Sequence, residues 1–156
     1  MTKTNAVRLL EAAGVEFRVH EYPVDEDALD AVTVAGSIGV EPERVFKTLV
    51  AASQAGEHLV FCLPGSAELD LKKAAAASGA KRVALIRLRD LEPLTGYVHG
   101  GCSPVGMKKR FPTWIDESAE LFETIYVSAG ARGLQVEIAP EDLRSQTDAM
   151  VADLTG

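Results

Sequence analysis

Lys47 lies inside an apolar run of the sequence, VFKTLV at residues 45–50. A lysine side chain is almost never fully buried unless a partner compensates for its charge. Its ammonium group therefore either reaches water along the edge of a strand or binds an anionic or carbonyl group of a ligand. This setting makes Lys47 the first candidate for chemistry.

Motifs of several common enzyme classes are missing from the sequence. The three histidines are widely spaced and no HExxH or CxxC pair occurs, so we expect no metal site and no cofactor. The segment GGCSPVG lacks the GK[ST] ending of a phosphate-binding P-loop, and Val105 stands where a nucleophile elbow needs glycine. Cys102 in this segment is either a reactive thiol or a small buried residue, and without an activating neighbour we favour burial.

The chain that must position these residues fits a single domain, 1–156, long enough to bury a core without disulfides. Its net charge of −7 argues against a protein that coats nucleic acid non-specifically, although a local basic patch could bind one end of an RNA. No apolar run approaches the roughly 20 residues of a membrane span. The N-terminal segment favours a capped amphipathic helix over a signal peptide. Two cysteines give no disulfide framework, so we expect a cytoplasmic protein.

Apolar spacing and turn residues predict short helices and strands in the first half of the chain. The strand VEFRVHEY has a core face and a polar face, which carries His20 and Tyr22. The predicted elements are a helix between Thr4 and Gly14, this strand, an acidic irregular segment at 23–33, a short helix ending near Gly39, a helical turn beginning at Pro42, a hairpin of strands 48–53 and 58–63, and a helix capped by Asp70 and closed by Gly79.

The second half continues the same mixture. We predict strands in RVALIRL, GYVHGG, TIYVS and LQVEI, a helical turn in RDLEPL, and a final helix at roughly 141–154. Hairpins recur and no strict βαβ rhythm is present. This favours an α+β fold in which a mixed, mainly antiparallel twisted sheet is flanked by helices.

Four separated pieces, VFKTLV, LDLKKAA, GYVHGGCSPVGMKKRFPTWID and TIYVSAGARGLQVEI, resemble in order and spacing the YbaK/EbsC family of Cys-tRNA(Pro) deacylases. These are trans-acting relatives of the editing domain of bacterial prolyl-tRNA synthetase. The resemblance covers nearly the whole chain. It implies a fold of that family and an enzyme that removes a wrong amino acid from the 3′ end of a tRNA. Its expected partners are the mischarged tRNA and prolyl-tRNA synthetase.

The resemblance implies roles for individual residues. Lys47 matches the family's functional lysine, Gly100 and Gly101 its glycine pair, and Ser128 the serine of Y-V-S. The glycines allow close approach, so that their N–H groups can face a developing oxyanion, or they form a bulge before a turn. The residues expected to bind or shape the substrate site are His20, Tyr22, Leu29, Asp30, Thr48, Ser103 and Gln135.

Basic residues in the matching motifs are candidates for contacts with tRNA phosphates, although a charge run is also typical of a solvated face. These residues are Lys72, Lys73, Lys108, Lys109, Arg110 and Arg132. Contacts of this kind should be few, and the affinity should depend on salt.

Four departures from the family pattern affect the expected specificity. Leu29 or Asp30 stands near the place of a family phenylalanine, and Gln135 stands where the family often has aspartate. Ala129 replaces a glycine, and Cys102 replaces an aliphatic residue. Loss of an acidic residue could favour alanine or another small amino acid over cysteine as the edited residue.

Three functions therefore remain open at this point. The first is deacylation of Cys-tRNA(Pro), with Cys-tRNA(Cys) as a second candidate substrate, by cyclisation through the substrate's own thiol. The second is hydrolysis, by a bound water, of tRNA mischarged with alanine or another small amino acid. The third is a non-catalytic protein that binds a tRNA end or a nucleotide.

Overall fold

The structure, a computed structural model, describes residues 3–156. Within them the chain forms five α-helices, eight strands and two 3-10 helices. In chain order these are α1 (Asn5–Ala13), β1 (Phe17–Glu21), α2 (Ala31–Ile38), a 3-10 helix (Pro42–Arg44), β2 (Phe46–Ser53), β3 (His58–Pro64), α3 (Leu71–Ser78), β4 (Val83–Leu85), α4 (Leu88–Thr95), β5 (Thr113–Asp116), a 3-10 helix (Glu117–Leu121), β6 (Ile125–Ser128), β7 (Leu134–Ile138), α5 (Pro140–Thr147) and β8 (Met150–Ala152).

The strands form two sheets. The smaller sheet has the order β1-β7-β6 and is antiparallel, whereas the larger has the order β4-β2-β3-β5-β8. In the larger sheet β3 pairs antiparallel with β2, and β5 joins through parallel pairs with β3 and β8. A bridge between Val45 and Tyr126 connects the two sheets. The predicted α+β class, mixed and mainly antiparallel with flanking helices, is confirmed.

The predicted helix ends are confirmed where the sequence supplies a cap. Thr4 and Asp70, the predicted caps, each accept a hydrogen bond from a main-chain N–H in the first turn of the following helix. Asp30 caps α2 in the same way, which was not predicted: α2 begins at Ala31, inside the segment 23–33 that we expected to be irregular. Gly14, Gly39 and Gly79 end the same three helices in the left-handed conformation. These ends are set by local chemistry, and the sequence contains that chemistry.

Predictions that depended on longer-range pairing were less accurate. GYVHGG is wrong as a strand, because the chain turns there and the buried Tyr97 donates a hydrogen bond from its hydroxyl to the carbonyl of Val105 (2.7 Å). The final helix ends at Thr147, since Asp148 adopts φ 54° and the chain enters β8. The RVALIRL strand is shortened to β4, and the sequence did not predict β5 or β8.

The alternation of side chains along β2 separates two cores. Phe46 and Val50 belong to the main core, which also receives α1, α4, α5 and one face of the smaller sheet. Ala51 and Leu49 face the opposite side of the strand, against α3 and the second core. Lys47 lies on this second face, near the start of β2. The buried residues of α3 do not cover β2 at that end. In residues 3–156, no helix has the length and apolar character needed to cross a bilayer.

Candidate functional site

A cavity of about 510 Å³ lies where the smaller sheet, α2 and the start of β2 meet. It is bounded by the segment before α2, by the first residues of β2 and by the loop around Gly100. The residues predicted from the sequence that line it are Leu29, Asp30, Lys47, Thr48, Gly100, Ser128 and Gln135. The structure thus brings together residues that are more than 100 positions apart in the chain.

Lys47 contributes a half-buried ammonium group to the cavity wall. Its Nζ lies 3.5 Å from the carbonyl oxygen of Gly65, and within residues 3–156 it forms no ion pair. Burial lowers the pKa of Lys47 from its ordinary value, while the charge of Glu68 partly opposes this. A partly desolvated cation with unused donors is suited to binding an anion or polarising a carbonyl.

Main-chain groups of β2 also face the cavity. The carbonyl of Val50 accepts a hydrogen bond from Ile86, and β4 pairs with β2 only through residues 51–53. Because main-chain groups alternate in direction along a strand, the N–H and C=O of Thr48 lie on the same edge as those of Val50. Thr48 lies beyond the residues that β4 pairs with, and it lines the cavity. The side chain of Thr48 instead contacts Cys62 (Oγ1–Sγ 3.8 Å).

The two glycines of GGCSP have different positions. Gly100 adopts φ +82° and lines the cavity, and a Cβ there would lie 3.2 Å from the side chain of Leu29. Its N–H has no hydrogen-bond partner among residues 3–156. The N–H of Gly101 donates to the carbonyl of Val98 (2.9 Å), so it is not free to face an oxyanion. A Cβ on Gly101 would lie 3.0 Å from main-chain atoms of Ala131 and Arg132, which explains the need for glycine there.

Ser103, the next predicted residue of this loop, is buried and does not line the cavity. Its Oγ accepts a hydrogen bond from the N–H of Val105 (3.2 Å). It therefore shapes the turn at residues 103–105, which follows Gly100 in the chain.

Ser128 and Gln135 are directly opposite each other on β6 and β7, so their side chains share one face of the smaller sheet. Ser128 Oγ accepts from the N–H of Gly130 (3.2 Å), which leaves its hydroxyl hydrogen to be donated elsewhere. Gln135 is 5% exposed, and its Oε1 has no partner among the described residues. A buried acceptor without a partner is costly, and a ligand donor would relieve that cost.

His20 and Tyr22 lie on the same face of the smaller sheet but do not line the cavity. His20 pairs with Gln135 in the sheet register, yet its Nε2 bonds Glu137 Oε1 at 2.9 Å. Tyr22 packs against a small apolar cluster that includes Val34 and Tyr126. In this structure both residues support the cavity wall from outside.

The predicted phosphate-binding residues divide into two groups. Lys73 binds Asp153 (2.9 Å), Arg110 pairs with Asp148, and Arg132 lies 3.8 Å from Glu26 and donates to the carbonyl of His99. Lys108 donates to the carbonyl of Pro93 (3.2 Å). Lys72 and Lys109 are exposed, and neither forms an ion pair within residues 3–156.

Several lining residues were not identified from the sequence. Gly65 was not among the residues predicted for the site, although a Cβ there would lie 2.1 Å from Ala31 Cβ, so α2 can approach the end of β3 only at a glycine. Glu26 and Asp27 place acidic groups in the cavity lining, and Leu91 contributes an apolar surface. The Pro64–Gly65 pair was the one local signal that could have indicated a close approach.

Cys102 lines the cavity, but burial raises the pKa of its thiol to about 11. A thiol with that pKa is protonated at neutral pH and is a poor nucleophile. Within residues 3–156, no group of three or more histidine, cysteine, aspartate or glutamate side chains could hold a metal ion. The cavity thus offers the Lys47 ammonium group, a main-chain donor, a hydroxyl and an amide, and its lining also contains the carboxylates of Glu26, Asp27 and Asp30 and the imidazole of His99.

Comparison with known proteins decides the family. The sequence profile of one protein family, the aminoacyl-tRNA editing domain, matches residues 25–145, which is more than half of the chain. The chain belongs to the aminoacyl-tRNA editing domain family. It is 49% identical to EbsC of Enterococcus faecalis, which carries the provisional name Cys-tRNA(Pro)/Cys-tRNA(Cys) deacylase, over 98% of this chain and 93% of EbsC. This confirms the YbaK/EbsC resemblance.

Solved structures support the same assignment. A protein described provisionally as a trans-editing enzyme for prolyl-tRNA synthetase matches with a TM-score of 0.86 and 28% identity, over 100% of this chain and 99% of the other. A hypothetical protein, APE2540, shares the fold, with a TM-score of 0.89 and 24% identity over 98% and 100% of the two chains. This editing domain is an aminoacyl-tRNA deacylase that acts on mischarged tRNA.

Proposed function

We propose that the cavity binds the aminoacylated 3′ end of Cys-tRNA(Pro) and promotes release of the cysteine. The observation that carries this proposal is Lys47, a half-buried ammonium group without an ion-pair partner in the described chain, in the wall of a cavity of about 510 Å³. A cation there can hold the terminal phosphate or ribose and polarise the ester carbonyl. The N–H of Gly100 is a second donor for the same carbonyl oxygen.

The proposed reaction takes its nucleophile from the substrate. The sulfur of the substrate cysteine attacks its own ester carbonyl, a C–S bond forms, and the C–O bond to the ribose breaks. The thiol proton ends on the ribose oxygen, and the amino acid leaves as a cyclic thioester. The protein supplies position and carbonyl polarisation, because Cys102 is protonated and the described chain shows no histidine or carboxylate hydrogen-bonded to Ser128 Oγ.

Gln135 and Ser128 are positioned to recognise the amino acid. The free Oε1 of Gln135 can accept a hydrogen bond from the substrate α-ammonium group, and the hydroxyl of Ser128 can donate to the ester. Leu29 and Asp30 line the cavity, and one of them stands near the place where the family carries a phenylalanine. The hydrogen bonds of the Asp30 carboxylate to Thr33 lower its pKa and fix it as the cap of α2, so its effect on the substrate is through the position of α2.

Hydrolysis of Ala-tRNA(Pro) is a second candidate function. The observation in its favour is the same Gln135 Oε1, which can also accept from a water molecule placed next to the ester. A neutral amide in this position does not require the substrate to carry a thiol. The cavity volume leaves room for a small amino acid together with such a water.

A deacylation panel separates the two candidates. The substrates are Cys-tRNA(Pro), Ala-tRNA(Pro), Pro-tRNA(Pro) and Cys-tRNA(Cys), together with Cys-tRNA(Pro) methylated on the cysteine sulfur. We expect Cys-tRNA(Pro) to be deacylated and its S-methyl form to be stable, and turnover of the methylated substrate would exclude cyclisation. We expect Lys47→Met to slow deacylation at least about tenfold, equivalent to about 1.4 kcal/mol in the barrier.

We also propose that prolyl-tRNA synthetase supplies the substrate in the cytoplasm, where mischarged tRNA is made. A chain of net charge −7 attracts free tRNA weakly, so presentation by the synthetase would raise the effective concentration. Addition of prolyl-tRNA synthetase to the panel should raise the deacylation rate at low tRNA concentration. An unchanged rate would show that the protein acts alone.

A further inference from the structure

A second depression of about 480 Å³ lies at the other end of β2, between the β2–β3 turn, α3 and β4. We call it the basic groove, because each of its charged lining residues, Lys72, Lys81 and Arg82, is a cation. Its remaining lining residues are Ala52, Ser53, Gln54, Leu71, Ala75, Val83 and Ala84. Three cations without a lining carboxylate are unexpected in a chain whose net charge is −7.

The cations of the basic groove are exposed and available. Lys72, Lys81 and Arg82 form no ion pair within the described chain, in contrast to Lys73, which binds Asp153. Lys72 was a candidate from the sequence motif. Lys81 and Arg82 were not, because they stand outside every matched motif.

The main chain beneath these cations is held in place. Gln54 Oε1 accepts from the N–H groups of Lys81 (3.1 Å) and Arg82 (3.2 Å), and the N–H of Gln54 donates to the carbonyl of Arg82. Asp70 caps α3 by accepting from the N–H of Lys72 at 2.9 Å. These bonds fix the starting points of the three side chains, which lowers the entropy lost when they bind a ligand.

The basic groove and the cavity are connected by β2. Lys47 lies at the cavity end of this strand and Ser53 at the groove end. At about 3.3 Å per residue, six residues separate them by about 20 Å. A nucleic acid with its 3′ terminus in the cavity could therefore place phosphates a few nucleotides away in the groove.

We propose that the basic groove binds phosphate groups of the tRNA acceptor arm on the 5′ side of the terminal adenosine. This proposal rests on the proposed function, which places the aminoacylated terminus in the cavity. RNA is favoured over an acidic protein because the ligand of the neighbouring cavity is itself the end of an RNA chain. The contacts are sequence-independent, since surface lysine and arginine side chains here meet only backbone charge.

The test compares the triple variant Lys72→Ala/Lys81→Ala/Arg82→Ala with a control of equal charge change, Lys3→Ala/Arg8→Ala/Arg18→Ala. The control removes three exposed cations on α1, its N-terminal flank and β1, none of which lines the cavity or the groove. Binding of uncharged tRNA is measured by fluorescence anisotropy over a salt series. Deacylation is measured on full-length mischarged tRNA and on an aminoacylated CCA trinucleotide.

For the groove variant we expect at least about tenfold weaker tRNA binding, and a slope of log K against log salt that falls by about 1 per cation. Deacylation of the trinucleotide should equal that of the wild type, and the control should bind tRNA within about twofold of the wild type. Equal loss of tRNA binding in both variants would indicate a general charge effect and would overturn the proposal. Unchanged tRNA binding or an unchanged salt slope in the groove variant would overturn it as well. So would a wild-type protein that does not bind tRNA. Because binding is measured without turnover, failure of deacylation alone would reject the proposed function and leave the groove supported.

Discussion

Replacement of Gly65 by alanine tests the packing that forms the cavity. A Cβ at position 65 would lie 2.1 Å from Ala31 Cβ and 3.2 Å from both Ala31 Cα and the carbonyl oxygen of Val45. Carbon atoms in contact are normally about 3.5–4.0 Å apart, so α2 or the end of β3, where Gly65 lies, must move by about 1.5 Å or more. Neither neighbour is the end of a flexible side chain, and the backbone must therefore shift.

We expect Gly65→Ala to lower the free energy of unfolding by about 1–3 kcal/mol, the usual cost of overpacking. For a chain of this size that is a fall in melting temperature of about 2–12 °C. The shift would also move Ala31 and the residues before it, which line the cavity. We therefore expect deacylation of mischarged tRNA to slow at least about tenfold, because misplacement of about 1 Å can cost more than that.

Urea denaturation and the deacylation assay measure the two effects, and two further variants control for other causes. Ala31→Gly combined with Gly65→Ala removes the contact between the two Cβ atoms, so it should recover part of the lost stability. Gly36→Ala lies in the same helix with no atom within 4 Å of the added Cβ, and it should stabilise the protein by about 0.5–1 kcal/mol. A Gly65→Ala protein within about 0.5 kcal/mol of the wild type would refute the packing argument.

Three other predictions follow from the burial and charge of individual residues. Lys47→Met should leave the melting temperature at neutral pH unchanged or raised, because burial lowers the pKa of this lysine and the buried charge costs free energy. The stability of the wild type should rise with pH between the lowered pKa and about 10.4, the ordinary pKa of lysine in the unfolded chain. Thermal melts at alkaline pH should show no such rise for the variant. Burial raises the pKa of the Cys62 thiol to about 12 and that of the Cys102 thiol to about 11. Both thiols should therefore resist alkylation by iodoacetamide at pH 8 in the folded protein. Rapid alkylation, detected by mass spectrometry, would contradict their burial. Burial would raise the pKa of Glu137, but hydrogen bonds from Thr124 and His20 outweigh burial and lower the pKa. Glu137→Gln should therefore be less stable than the wild type above pH about 4.3, and its stability should fall less steeply on acidification. If the variant and the wild type lose stability equally on acidification, these hydrogen bonds do not stabilise the carboxylate.

The sequence predicted the parts of the fold that depend on neighbours in the chain. Thr4 and Asp70 mark helix starts because a side-chain oxygen can reach N–H groups only two or three residues away. The two hairpins were predicted for the same reason, since short turns join adjacent strands. The strands β5 and β8 were missed because their parallel partners lie far away in the sequence.

The candidate site divides in a similar way. Motif spacing identified Lys47, Gly100, Ser128 and Gln135, all of which line one cavity. It could not show that the N–H of Gly101 is already bonded to Val98, because that bond depends on how the loop folds. For the same reason it grouped Lys73 with Lys72, although Asp153, 80 residues from Lys73, neutralises only one of them.

What the sequence by itself determined is the family, the helix caps and the residue types available for chemistry, because each is a property of residue identity and spacing. Tertiary structure decided which of those residues share a cavity and which cations remain without an ion pair. Gly65 shows the physical reason most directly: its requirement for glycine comes from Ala31, 34 positions earlier, which lies next to it only in the folded chain. Contacts of that kind depend on distances in space, which spacing along the chain does not contain.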